Sequence, residues 1–250
     1  MSHHKLEVRN LQFVYPDGQE AIKNISFTIH HGESVGVIGA NGAGKSTLMM
    51  LIMGVLFPTS GEVLVGDVPL TKKTLPMIRQ RLGMVFQNPD DQLFMTSVYD
   101  DVAFGPRNYM MDEREVENRV KEALEAVGIA HLKDRAPYKL SGGEKRSAAI
   151  AAVLSMQPDI LIMDEPTSGL DPRARRRVID FLKNFKHTKI ITGHDLDMVF
   201  ETCKRVIVIH QGKVAADGEG TEILRNSKLL ENCGLEMPLS FRNCPVCGRL

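Results

Sequence analysis

The 250-residue chain has no surplus charge of either sign: 31 lysines and arginines face 31 aspartates and glutamates. That balance removes any overall electrostatic case for binding nucleic acid. No apolar run approaches the ~18 residues needed to cross a bilayer. The start, Met1-Ser-His-His-Lys-Leu-Glu7, lacks the apolar core of a secretory signal. The expectation is a cytoplasmic protein whose membrane role, if it has one, runs through a partner. Cysteine is scarce: Cys203, Cys233, Cys244 and Cys247 are too few and too clustered for a disulfide framework. Internal repeats and low-complexity segments are absent too. What is left is a globular composition with an ordinary share of apolar and charged residues. The length suits one large domain, or a core with a subdomain.

One stretch carries most of the information. Gly39-Ala-Asn-Gly-Ala-Gly44-Lys45-Ser46 matches G-x-x-x-x-G-K-[ST]. It follows the apolar run Ser34–Ile38 and precedes another, Thr47–Ile52, which gives the strand, loop and helix context the pattern needs. Glycines let successive N–H groups turn inward toward phosphate oxygens. A helix starting near Lys45 adds its positive end. Lys45 supplies a point charge for the outer phosphates and Ser46 a hydroxyl for Mg²⁺.

Residues 5–38 alternate apolar and polar positions and read as an antiparallel strand layer with a turn at Pro16-Asp-Gly18. Glu62–Val65 reads as part of a further strand pair. From about Gln92 to Gln157 the pattern is helical, with Val116, Val120, Ala123, Leu124 and Val127 at helical spacing. Ile160–Met163, Lys189–Thr192 and Val206–Ile209 are short apolar runs expected of buried parallel strands. The fold class is therefore α/β, a nucleotide-binding core with a mostly helical insertion. Two further motifs bear chemistry. Asp164-Glu165 ends the Ile160–Met163 strand, where one carboxylate can hold Mg²⁺ through water and the next can orient or deprotonate an attacking water. Leu140-Ser-Gly-Gly-Glu144 opens a helix with Ser141 as its N-cap and leaves glycine N–H groups open to an anion.

Together these motifs resemble the ATP-binding cassette (ABC) ATPases over nearly the whole chain. Gly39–Thr47 is similar to Walker A, Ile160–Glu165 to Walker B with its glutamate, and Leu140–Glu144 to the signature. Ser168-Gly-Leu-Asp171 resembles the D-loop, His194 the switch histidine, Gln87 the Q-loop glutamine, and Tyr15 the aromatic that stacks on adenine. The resemblance implies a P-loop NTPase core of ABC type with an antiparallel β layer and a helical subdomain. Residues 1–91 with 158–234 would form the core, 92–157 the helical subdomain and 235–250 a tail. It implies ATP and Mg²⁺ as cofactors, with Glu165, His194 and Lys45 catalytic. Tyr15, Asn41, Gly42, Gly44, Lys45, Ser46, Thr47, Gln87, Ser141, Gly142, Gly143 and Asp171 would bind nucleotide, and Ser46, Gln87 and Asp164 the metal. Two subunits would pack head to tail, each ATP lying between one Walker A and the other subunit's signature.

Gln87-Asn-Pro-Asp-Asp-Gln92-Leu-Phe94 and Asp101–Asn108 resemble, more narrowly, ATPases of energy-coupling-factor importers of the cobalt/nickel type. That implies a homodimer on the cytoplasmic face of the cell membrane. Its partners would be a transmembrane coupling protein and an integral-membrane substrate-capture protein. Asp90, Asp91 and Gln92 would face the coupling protein, whose helices tend to be basic. A vitamin or other small-solute importer is the alternative. A soluble cassette ATPase fits less well, since the long coiled-coil insertion or second cassette usual in such proteins is missing. One departure concerns the signature helix: an arginine frequent at the position of Ser147 stands instead at Arg146, rotated by ~100°. Cys244-Pro-Val-Cys247 resembles half a zinc ribbon, but without a second pair it reads as a reduced tail. The adjacent His3 and His4 carry little weight as metal ligands.

Overall fold

A computed structural model describes residues 5–241. His3, His4, Cys244 and Cys247 lie outside the described residues. In chain order the first elements are β1 (Leu6–Val14), β2 (Glu20–Ile29), β3 (Ser34–Ile38), α1 (Lys45–Ile52), β4 (Ser60–Val65), β5 (Val68–Pro69) and α2 (Leu75–Arg81). Then come β6 (Leu82–Val85), α3 (Val98–Asn108), α4 (Glu113–Ala126), α5 (Gly142–Leu154), β7 (Ile160–Asp164) and α6 (Pro172–Asn184). The last are β8 (Thr188–Thr192), α7 (Leu196–Thr202), β9 (Arg205–His210), β10 (Lys213–Glu219), α8 (Gly220–Arg225) and α9 (Ser227–Asn232). The chain divides into two compact units, Met1–Arg79 with His187–Leu250, and Gln80–Lys186.

The first unit holds two kinds of sheet. β1 pairs antiparallel with β2 and with β4, and β4 with β5. The turn between β1 and β2 closes through Gly18 N–H to Tyr15 O at 2.9 Å, where the Pro-Asp-Gly sequence predicts it. β3 departs from the expected antiparallel layer. It pairs parallel with β8 and β9, and β10 adds an antiparallel edge to β9. The reason lies in its burial: Val35 to Ile38 are all buried, so the run lacks the exposed alternate positions of a one-sided sheet. β8 is buried at all five positions for the same reason. This arrangement carries the loop after β3 and the segment after β8 from the ends of neighbouring strands.

The second unit has the parallel pair β6 and β7 beside α3, α4, α5 and α6. Ile160, Leu161, Ile162 and Met163 of β7 are fully buried, each contributing about 1.5–3 kcal/mol of apolar burial. Val116, Val120, Ala123 and Leu124 line the inner face of α4, and they meet Val98 and Val102 of α3 and Ala148 and Ala151 of α5. The alanines of α5 keep its inner surface slim. Side-chain caps start each of these helices: Ser97 for α3, Asp112 for α4, Ser141 for α5 and Asp171 for α6.

Candidate nucleotide site

In the first unit the loop after β3 ends at Gly44, whose φ of 107° is left-handed; a Cβ there would stand 2.7 Å from Ala21 O. Only glycine fits that backbone without strain. α1 then begins after Gly44 with no side-chain cap. Such an end is a seat for an anion. Lys45 is buried, and its ammonium donates to Gly39 O at 2.7 Å and Ala40 O at 3.2 Å. The same Nζ lies 3.5 Å from His194 Nε2. Asn41, Gly42 and Ser46 are exposed. Thr47 is buried, with Oγ1 2.9 Å from the Tyr15 hydroxyl, and the Tyr15 ring meets Phe13 edge-on at 4.9 Å. His194 is exposed between β8 and α7, just before Asp195, which caps α7 by accepting from Met198 N–H at 3.0 Å.

In the second unit, Asp164 ends β7 and is buried; Glu165 follows, half-buried, at a φ of 47°. That left-handed conformation costs a non-glycine residue about 1–2 kcal/mol, and strain of this kind gathers at functional positions. Gln87 is exposed after β6. Ser141 and Glu144 form a capping box: Ser141 N–H donates to Glu144 Oε2 at 2.7 Å, and Glu144 N–H to Ser141 Oγ at 3.4 Å. The Ser141 N–H, then its hydroxyl, hold the Glu144 carboxyl below its ordinary value. Gly143 is buried against α6; a Cβ there would come within 2.6 Å of Ala174 Cβ. Asp171 accepts from Ala174 N–H at 2.9 Å and Arg173 N–H at 2.8 Å, and these backbone donors lower its carboxyl, Ala174 most. A cavity of about 420 Å³ is lined by Gln87, Asp90, Gly142, Lys145, Arg146 and Leu170 among others. Among the described residues, no three His, Cys, Asp or Glu side chains gather as a ready metal cage.

Some of this was not legible in the sequence. Arg146 is 2% exposed and donates from Nη1 to Phe86 O at 2.6 Å and from Nη2 to Gln87 O. Burial lowers the pKa of its guanidinium, and the nearby Asp164 charge opposes that shift. Gln92, expected to face a partner, donates to Ala149 O at 2.7 Å. Asp101 is buried and accepts from Phe94 N–H and Met95 N–H.

The family model for ABC transporters matches residues 22–168. The chain belongs to the ABC transporter family. Similarity to individual members extends further. An ABC transporter ATP-binding protein of Geobacter sulfurreducens is 62% identical over 100% of both chains. The energy-coupling factor transporter ATP-binding protein EcfA of Methanothermobacter thermautotrophicus is 45% identical over 98% of this chain and 79% of its own. The structure of cbiO1 from Clostridium perfringens, part of the ABC transporter complex cbiONQ, superposes with a TM-score of 0.81 at 41% identity, covering 91% of this chain and 93% of that one. The fold is thus that of an ABC ATPase, and the activity is ATP binding and hydrolysis. ABC ATPases dimerise and work with membrane components. Among the described residues, no helix of this ABC ATPase is long and apolar enough to cross a membrane.

Proposed function

We propose that this ABC ATPase drives an importer of energy-coupling-factor type that takes up cobalt or nickel ions. The uncapped start of α1 with the Lys45 ammonium folded over the loop carries the nucleotide part of this reading. The energy-coupling-factor part is supported by the similarity to EcfA and to cbiO1. Two copies would pack head to tail, so that the α1 N-terminus of one faces the α5 N-terminus of the other. The exposure of Ser141 and Gly142 at the start of α5 suits that arrangement.

Within this reading Gly42, Gly44, Lys45 and Thr47 bind the phosphates, Asn41 flanks them, and Tyr15 stacks on adenine. Ser141 and Gly142 hold the outer phosphate of the other copy's nucleotide, Gly143 lets α5 approach α6, and Asp171 shapes the D-loop. Ser46, Gln87 and Asp164 would hold Mg²⁺, which relies on few protein ligands and on substrate phosphates and water. When bound, the metal neutralises charge that develops on the transferred phosphoryl group. Glu165 orients and deprotonates the attacking water, and His194 holds the outer phosphate beside Lys45. Binding closes the dimer and hydrolysis reopens it, a ligand-driven two-state element. The partners would be a membrane coupling protein and a substrate-capture protein, with the ATPase on the cytoplasmic face.

Glu165→Gln tests the chemistry. It removes the base and keeps the side-chain shape, so MgATP should convert the variant to a stable dimer in light scattering and leave no turnover. Parent-rate hydrolysis by the variant would refute the role given to Glu165.

A further inference from the structure

Residues 86–92 run as a strap from the end of β6, and side chains fasten this strap to α5. Arg146 donates to the carbonyls of Phe86 and Gln87. Lys145 Nζ meets Asp90 Oδ1 at 2.6 Å. Gln92 spans both ends: its Oε1 accepts from Phe86 N–H at 3.3 Å, and its Nε2 donates to Ala149 O at 2.7 Å. Every anchor on α5 falls within residues 145–149, directly after the capped turn at Ser141.

Arg146 is the unusual member. It is among the largest fully buried side chains, and its Nε is buried with no hydrogen-bond partner. A buried guanidinium with an unmet N–H is costly, and an apolar residue of similar volume would often hold the fold as well. What an apolar residue could not do is grip two consecutive carbonyls with one planar fork. Those carbonyls lie on either side of the Gln87 Cα, which carries the Gln87 side chain.

We infer that Arg146 is a positioning residue that makes the strap 86–92 and the first half of α5 one body, so that Gln87 and the Ser141–Gly143 turn move together. The arginine displaced from the position of Ser147 is thus not an idle variant of the signature helix. It takes the inward side of α5, where the strap's carbonyls are. The functional part of this inference rests on the roles given above to Gln87 and Ser141–Gly143; the mechanical part does not.

The test compares Arg146→Met and Arg146→Lys with the parent in the full-length chain. Three quantities are read: hydrogen exchange by peptide, binding of a fluorescent ATP analogue, and kcat and KM for MgATP. Arg146→Met should exchange about tenfold faster across 86–92, the equivalent of losing one charged hydrogen bond. Peptides from α1 and α4 should be unchanged. Its kcat should fall about tenfold with KM and analogue binding within about threefold, the pattern of an interaction needed for turnover and not for binding. Arg146→Lys, which keeps the charge and loses the fork, should lie between. Parent-like exchange in 86–92 with parent-like kcat overturns the inference. So does faster exchange spread evenly over 80–186, which marks a purely structural residue. Should the Met variant fail to fold, the Lys variant decides on the same two criteria. Faster strap exchange without a change in kcat would overturn the coupling to turnover. Failure of the ATPase reading itself shows separately, as undiminished turnover in Glu165→Gln.

Discussion

Lys45 Nζ lies 3.5 Å from His194 Nε2, and this contact ties the loop after β3 to the segment between β8 and α7. An ammonium offers only donors, so a hydrogen bond between the two needs the imidazole nitrogen as acceptor. Gly39 O and Ala40 O take further Lys45 bonds and hold the ammonium against its own loop. The two residues meet because β3 and β8 are parallel neighbours. Each leaves its strand at the same end of the sheet, the end where ligands gather in open α/β folds.

His194→Ala should therefore separate turnover from binding. In the role proposed for His194 at the outer phosphate, its loss should lower the rate about 100-fold or more, while the Lys45 bonds to the loop remain. Steady-state hydrolysis and equilibrium binding of ATP check this: kcat should collapse and affinity stay within about threefold. A loss of affinity with kcat unchanged would place His194 in binding alone.

Glu165 makes the opposite separation, between stability and activity. Its φ of 47° is costly for most side chains but well tolerated by asparagine. Glu165→Asn should thus keep or raise the thermal midpoint and abolish hydrolysis. Thermal unfolding and turnover measured on one preparation check it. A clear fall in the midpoint would mean that the carboxylate's own contacts outweigh the backbone strain.

The local features of the site were legible because each lies within a few residues. The loop Gly39–Ser46 needs only its glycines and flanking apolar runs, and the Ser141 cap only Glu144 three residues on. β7 announces itself as four apolar residues before a carboxylate. Features set by distant packing were not legible. Nothing within five residues of Arg146 shows that it will find Phe86 and Gln87, sixty and fifty-nine positions away. The polar turn 90–92 likewise gives no local sign of its contacts with α5. In the structure Asp90 meets Lys145 and Gln92 meets Ala149. The direction of β3 was misread as part of the antiparallel layer because alternation fades only in its last four residues.

Asp101 gives a pH signature. Burial raises its carboxyl pKa above the ordinary 3.8, against the Phe94 and Met95 N–H bonds that lower it. An acid raised in the folded state binds its proton more tightly there than in the unfolded chain. Its contribution to stability is full below the unfolded value and is lost as pH rises through the folded one. Asp101→Asn keeps an oxygen for both amides and does not titrate. The parent's midpoint, relative to this variant, should fall as pH rises from about 4 toward neutrality. Unfolding curves across that range check the slope, and a constant difference would contradict it.

The most direct test of the transport reading is to capture this chain from detergent-solubilised membranes of its native host and identify what comes with it by mass spectrometry. The account predicts a transmembrane coupling protein and a small integral-membrane capture protein, with no second ATPase. Recovery of the chain with no membrane protein would contradict it.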